Sequence, residues 1–263
     1  MSGFSADWLA LREPADKAAR SAAVAGVVLD ALQHRIPTRI VDLGSGTGSN
    51  VRSLSALMPQ QQEWRLVDHD EALLAAACTN VPVPVETRVS NLQQLDAALF
   101  AGRDLVTASA LLDLVSESWL AGFVQQCRLA ASAVLVVLNY DGRIECAPRE
   151  ELDEFVRRLV NLHQRTDKGF GAALGPDSGL RAEALLREAG YAVLRAKSDW
   201  VLHPDQAELQ RQLIAGWAHA AAEMSPRNRS LIEAWERRRL AHVDAGQSHL
   251  VVGHDDVGAV SRT

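Results

Sequence analysis

Three glycines at alternate positions, Gly44, Gly46 and Gly48 in VDLGSGTGSN, directly follow the branched apolar run RIVDL. They precede NVRSLSALM, in which Val51, Leu54 and Leu57 share one helical face. A glycine-rich turn between strand and helix lets a ligand reach backbone amides with no Cβ in the way, so this turn is a candidate binding site, Ser45 included. Dinucleotide-binding turns carry G-x-G-x-x-G, whose third glycine admits close helix packing; here that position is Ser49, which weakens the nicotinamide reading. Asp42, beside the turn, repels a pyrophosphate and tolerates a cation. The next apolar run ends WRLVDHDEALL, where a carboxylate can accept both hydroxyls of a ribose. Asp68, flanked by His69, and Asp70 are the acids there, and Asp70 reads better as the N-cap of a helix opening at Glu71.

Positioning these groups takes a strand before each of them and a helix after. Strand candidates are RIVDL, WRLVD at 64–68, VPVETRVS at 83–90, DLVTAS at 104–109, AVLVVLNY at 133–140 and YAVLRAKSDWVL at 191–202, and HLVVGHDDVGAV reads as a last strand. PADKAARSAAVAGVVLDALQ at 14–33 reads as one helix opened by Pro14. NVRSLSALM, EALLAAAC, NLQQLDAALF, SWLAGFVQQCRLA and GLRAEALLREAG are helices between the strands. This alternation predicts a doubly wound α/β fold, mostly parallel, in a single domain over 1–263. Helical insertions at about 142–178 and 203–243 form a lid.

Asp42, the G-x-G-x-G turn, Asp68 and the following elements resemble the class I S-adenosylmethionine (SAM) methyltransferases over residues 14 to about 200. The resemblance implies a seven-stranded sheet and SAM as cofactor, held by Asp42, Gly44, Ser45, Gly46, Gly48, Asp68 and His69. It places Asn91 and Leu92 of VSNLQQLD against adenine, although a loop Asn also serves as a turn or helix cap. Ser109 and Ala110 line the cofactor at the end of DLVTASALLD. The cofactor carboxylate calls for an arginine from the preceding helix: Arg20 is preferred to Arg12, with a solvated Arg20–Asp16 pair as the alternative. SALLD lacks the Asn- or Asp-Pro-Pro-aromatic motif of DNA amino-methyltransferases.

Acceptor chemistry is expected at the carboxyl ends of the strands and in the inserts. LNYDGR, read as a turn, offers Asn139 for substrate binding and Tyr140 and Asp141 for catalysis, with plain packing as the alternative for Tyr140. NLHQRTDKGFGAALGP supplies His163 as general base with Arg165, Lys168 and Phe170 around the acceptor; the alternative is a solvated helix end closed by glycines. Asp113 with Asn139 and Asp141 lacks the context of a metal site, so no metal is expected. The net charge of −6 argues against a nucleic-acid partner. No apolar run reaches membrane-spanning length, no signal-peptide pattern opens the chain, and the three scattered cysteines read as ordinary thiols. The expectation is a cytoplasmic monomer or homodimer that methylates a small polar molecule. The alternatives are an enzyme that cyclises or cleaves SAM itself and a SAM-binding regulator, with a nicotinamide oxidoreductase a distant fourth.

Overall fold

In the computed structural model, which describes residues 5–58 and 61–261, β1 (Thr38–Leu43), β2 (Gln62–Asp68), β3 (Val85–Val89), β4 (Leu105–Ser109) and β5 (Ala133–Ala147) run parallel. Their centres, among them Ile40, Val41, Leu66, Val67, Leu105, Val106, Leu135 and Val136, are buried, as a sheet covered on both faces requires. The C-terminal strand β8 (His249–Ser261) enters antiparallel between β5 and β6 (Tyr191–Lys197), giving the order β3-β2-β1-β4-β5-β8-β6. A short β7 (Trp200–Leu202) pairs with the start of β8.

The sheet thus has eight strands rather than seven. YAVLRAKSDWVL divides at Ser198, whose N–H donates to the His254 carbonyl, and its two halves pair with different stretches of β8. LNYDGR is not a turn. It lies inside β5, which shifts register against β8 on both sides of Asn139–Tyr140 and so takes up the first residues of the expected insertion. The expected helix over 14–33 is two helices, α1 (Ala6–Ala19) and α2 (Ala22–Leu32), with Pro14 inside the first. The chain breaks there because Asp256 Oδ2 accepts the Ser21 N–H at 2.8 Å and the Ser21 hydroxyl caps α2. NLQQLDAALF is helical only over α5 (Ala97–Phe100), since Asn91 closes a turn onto the Gln93 N–H and Asp96 caps the late start.

Three apolar clusters sit around the sheet. α2, α3 (Ser49–Leu54) and α4 (Glu71–Asn80) cover one face through Val24, Val28, Leu54 and Leu74. α6 (Glu117–Leu129) and α8 (Ser178–Glu188) join α5 on the other, around Phe100, Trp119, Phe123 and Leu186. The third cluster belongs to the inserts: α7 (Asp153–Gln164), α9 (Ala207–Met224) and α10 (Arg229–Asp244) pack on the extension of β5, β7 and β8 through Val156, Trp217, Trp235 and Trp200. α1 joins this third cluster through Ala15, with Trp8 and Leu11 packed against it.

Inside the third cluster the Arg239 side chain is fully buried, and it pairs with Asp153 on α7 while Trp235 Nε1 donates to the same carboxylate at 2.8 Å. Removing Asp153 strands a buried cation. Asp153→Ala should therefore lose about 3 kcal/mol or more in urea unfolding, against under about 1 kcal/mol for removing Asp244 from its exposed pair with Arg211.

Candidate functional site

The strand order reverses between β1 and β4, and the glycine turn lies at the carboxyl end of β1 there. Gly44, Gly46 and Gly48 all have positive φ, at 66°, 51° and 82°. The requirement is hardest at Gly48, where an added Cβ would meet Val81 Cγ1 at 2.6 Å. Asp68 holds the turn from the neighbouring strand: Oδ2 accepts the Gly46 N–H at 2.8 Å and Oδ1 accepts the Asp70 N–H at 3.1 Å, with His69 Nδ1 also 3.1 Å from Oδ1. Asp70 caps α4 by accepting from Ala72 and Leu73, as its alternative reading has it.

At the switch point Asp42 is paired in register with Thr107. Asn50, the second residue of α3, donates through Nδ2 to Asp42 Oδ1 at 2.8 Å and to Thr107 Oγ1 at 2.9 Å, and the Thr107 hydroxyl donates on to the Leu135 carbonyl. Asn50 Oδ1 accepts from Arg20 Nη1 at 2.6 Å. Arg20 is thereby turned inward, and the partner of Asp16 is Arg12, at 2.9 Å. Arg20 forms no ion pair among the described residues, and its Nε and Nη2, the side-on fork of the guanidinium, are buried without a hydrogen-bond partner. Burial lowers its pKa against the pull of Asp16, Asp256 and Asp42. Asp42 Oδ2 and the Ser45 hydroxyl are likewise buried and unpartnered. Burial pushes Asp42 up to about 7, opposed by the Asn50 hydrogen bond and the Arg20 charge.

Of the other candidates, Ser109 and Ala110 end β4, and Ala110 has φ 52° with its N–H on the Val137 carbonyl. Asn91 is exposed, while Leu92 is buried and accepts Trp119 Nε1 at its carbonyl. Asn139 Nδ2 donates to the Asp255 carbonyl, and the Tyr140 hydroxyl donates to Asn161 Oδ1 at 2.7 Å. Burial raises Asp141, yet hydrogen bonds from Lys197 and Arg143 hold it below its ordinary value.

His163 lies in the last turn of α7, and the loop expected at 161–176 begins only at Arg165; both are bound to their own surroundings. His163 Nε2 lies 3.0 Å from Glu223 on α9 and its Nδ1 is 3.3 Å from Lys168 Nζ; burial and the Lys168 charge lower its pKa. Arg165 pairs with Asp177, and Phe170 packs edge-on against Trp119 at 5.8 Å. Among the described residues, no hydrogen bond joins this loop to Arg20, Asp42 or Asp68.

Sequence reading passed over Asn50, Thr107 and Asp256, and it left Arg12 in second place. Asn50 carried one signal, a buried-side polar residue directly after a ligand-binding turn. Two open clefts of about 580 and 530 Å³ lie at the amino-terminal strand edge and along the β5 extension, and neither is lined by these residues. Over the glycine turn lies α1, with Leu9 Cδ1 at 3.1 Å from where a Cβ on Gly46 would stand.

No protein-family model and no curated protein matches the sequence. Solved structures match the fold along almost the whole chain. The cyclopropane synthase MmaA2 from Mycobacterium tuberculosis superposes with a TM-score of 0.52 at 12% identity, over 97% of this chain and 94% of that one. YcgJ from Bacillus subtilis does so at 0.51 and 17%, over 92% and 100%. Phosphoethanolamine N-methyltransferase 2 from Haemonchus contortus, in complex with phosphomonomethylethanolamine and S-adenosylhomocysteine, does so at 0.50 and 14%, over 100% of this chain and 59% of that one. The chain has the class I methyltransferase fold.

An Asp whose folded pKa is raised costs stability as pH climbs from its unfolded value, near 4, towards its folded one. Asp42→Asn keeps an oxygen acceptor for Asn50 and removes that cost. The variant should melt with wild type near pH 4 and above it at pH 8, by up to about 4 kcal/mol in chemical denaturation. An equal difference at both pH values would show that Asp42 titrates normally.

Proposed function

We propose that the protein is a SAM-dependent methyltransferase acting on a small polar molecule. The observation that carries this reading is the pair of unpartnered groups at the switch point: the buried Arg20 fork and Asp42 Oδ2. A guanidinium fork suits a carboxylate bidentately and a lone carboxylate oxygen suits an ammonium, so together they complement an amino-acid zwitterion. The glycine turn gives such a ligand close backbone approach. Asp68 can accept from ribose hydroxyls while its backbone donors keep it aimed. Asn91 and Leu92 stand for the adenine side, and Ser109 and Ala110 for the β4 side of the same ligand.

SAM supplies an activated methyl group. The chain's own task is to hold the acceptor in line, exclude water and take a proton where the nucleophile carries one. The fold neighbour in complex with phosphomonomethylethanolamine and the formal charge of −6 both favour a small acceptor over a nucleic acid. Among the described residues no helix is long and apolar enough to cross a membrane. We place His163, Arg165 and Lys168 on the rim of the acceptor's approach, where Glu223 and Lys168 orient the His163 ring.

Calorimetry tests the reading directly. S-adenosylhomocysteine should bind the purified protein and outcompete NAD. Arg20→Ala should cost roughly 2–5 kcal/mol of that binding and Asp68→Ala roughly 2–4 kcal/mol, with melting curves checking that each variant is folded. Tighter binding of NAD, or unchanged binding in Arg20→Ala, would overturn the assignment.

A further inference from the structure

Arg12, Asp16, Asp113, Tyr140, Trp200 and His254 come from α1, the segment after β4, β5, β7 and β8, and each is no more than 9% exposed. The Arg12 guanidinium is held by Asp16 and lies 5.1 Å over the Trp200 ring, and Trp200 Nε1 donates to Asp16 at 3.0 Å. The His254 ring is 4.9 Å from Trp200 and 6.4 Å from Tyr140. Asp113 feels the Arg12 charge and, less strongly, the Tyr140 backbone N–H. Its Oδ1 and His254 Nδ1 are buried with no hydrogen-bond partner.

This cluster borders the cofactor residues on two sides. Leu111, two residues before Asp113, lies 3.7 Å from where a Cβ on Gly44 would stand, and Asp16 and Arg12 both act electrostatically on Arg20. Its charges do not cancel. Arg12 is neutralised by its bidentate pair with Asp16, whereas Asp113 has no ion pair among the described residues. A buried carboxyl with an unpartnered oxygen and no counter-ion of its own is complementary to a cation rich in N–H donors.

We propose that this cluster is the acceptor site, that the acceptor is a primary amine entering as its ammonium, and that Asp113 is both its counter-ion and its general base. The proposal rests on the methyltransferase reading. Asp113 takes one proton from the ammonium. The nitrogen lone pair so freed forms the new C–N bond, the S–C bond breaks with its electron pair left on sulfur, and the product is an N-methylated ammonium. The proton then passes from Asp113 to solvent. Arg12 is a positioning residue here, held by Asp16 and acting on Asp113 through its charge. Burial raises Asp113 to about 6, which suits a base working near neutrality, and it keeps His254 neutral above about 4. Tyr140 is raised by burial as well and holds its proton throughout that range.

The probes are benzylamine and benzyl alcohol, titrated separately into the protein, with S-adenosylhomocysteine binding measured in parallel. Wild type should prefer the amine at least about tenfold at pH 7.5. Asp113→Asn should lose that preference while binding S-adenosylhomocysteine normally, and Asp244→Asn, a distant surface carboxylate, should keep it. In wild type alone, amine affinity should rise about tenfold from pH 5 to 7.5 as Asp113 ionises, with the alcohol unchanged. Asp113→Asn keeps Asp42, so any rise that it retains belongs to the ionisation of Asp42 over the same range. No amine preference in wild type, or a preference that persists in a folded Asp113→Asn, overturns the proposal. An amine preference that depends on Asp113 in a protein that fails to bind S-adenosylhomocysteine would leave the amine site standing and sink the cofactor reading instead.

Discussion

The site depends on one side chain that the catalytic chemistry does not use. Asn50 spends both amide protons, on Asp42 and Thr107, and its oxygen on Arg20. It thereby ties the ends of β1 and β4 to α3 and to the break between α1 and α2. Because the amide is satisfied on all three sides, it cannot turn without leaving a buried polar group unpaired, at roughly 1–3 kcal/mol each. That constraint keeps the Arg20 fork and Asp42 Oδ2 unpartnered at the switch point. An apolar residue at position 50 could fill the same space. It would leave two buried charges free to find each other, and a paired Arg20 and Asp42 would have nothing to offer a zwitterion.

Holding these groups inside costs the fold stability, and the cost is concentrated along one line of the molecule. Leu138 has φ 57°, a conformation unfavourable for a branched side chain, and Asp256 Oδ1 sustains it by accepting the Leu138 N–H at 2.7 Å. The other oxygen of Asp256 accepts the Ser21 N–H, so one buried carboxylate sets both the break that frees Arg20 and the kink that starts the irregular part of β5. That irregularity carries Tyr140 and its backbone N–H to Asp113. Asp42, Asp113 and Asp256 all have pKa values raised by burial, and all three lie where the sheet meets the proposed ligands rather than in its centre.

The parts that were legible in the sequence are those governed by local rules. Branched runs gave β1 to β4 to within two residues, positive φ demanded the three glycines, and Asp70 followed capping chemistry. What was not legible depends on partners far along the chain. Arg20 turns inward because of Asn50, thirty residues later, and the helix breaks beside it because of Asp256, more than two hundred residues later. LNYDGR has the composition of a turn, but β8 pairs along it and holds it extended. The 161–176 loop shows the reverse effect. Its density of polar types is absorbed by Glu223, on an insert helix whose facing periodicity does not reveal, and by Asp177 at the end of the same glycine-rich stretch.

α1 is where the two proposed sites become one. Leu9 lies on the glycine turn, and Glu13 pairs with Arg52, which also donates to the Thr47 carbonyl within that turn. One helical turn along, Arg12 and Asp16 build the wall that Trp200 and His254 complete, and Arg20 follows at the helix end. These side chains are spaced three or four residues apart, so they project from adjoining faces of one rigid helix. A displacement of α1 that uncovers Gly46 must also withdraw Arg12 from Asp113 and pull on Arg20. Access to the cofactor side and completion of the acceptor side are thus coupled through a single element, whose anchor is the third apolar cluster rather than the sheet. The inserts that build this cluster therefore contribute to the site at one remove, by fixing where α1 rests.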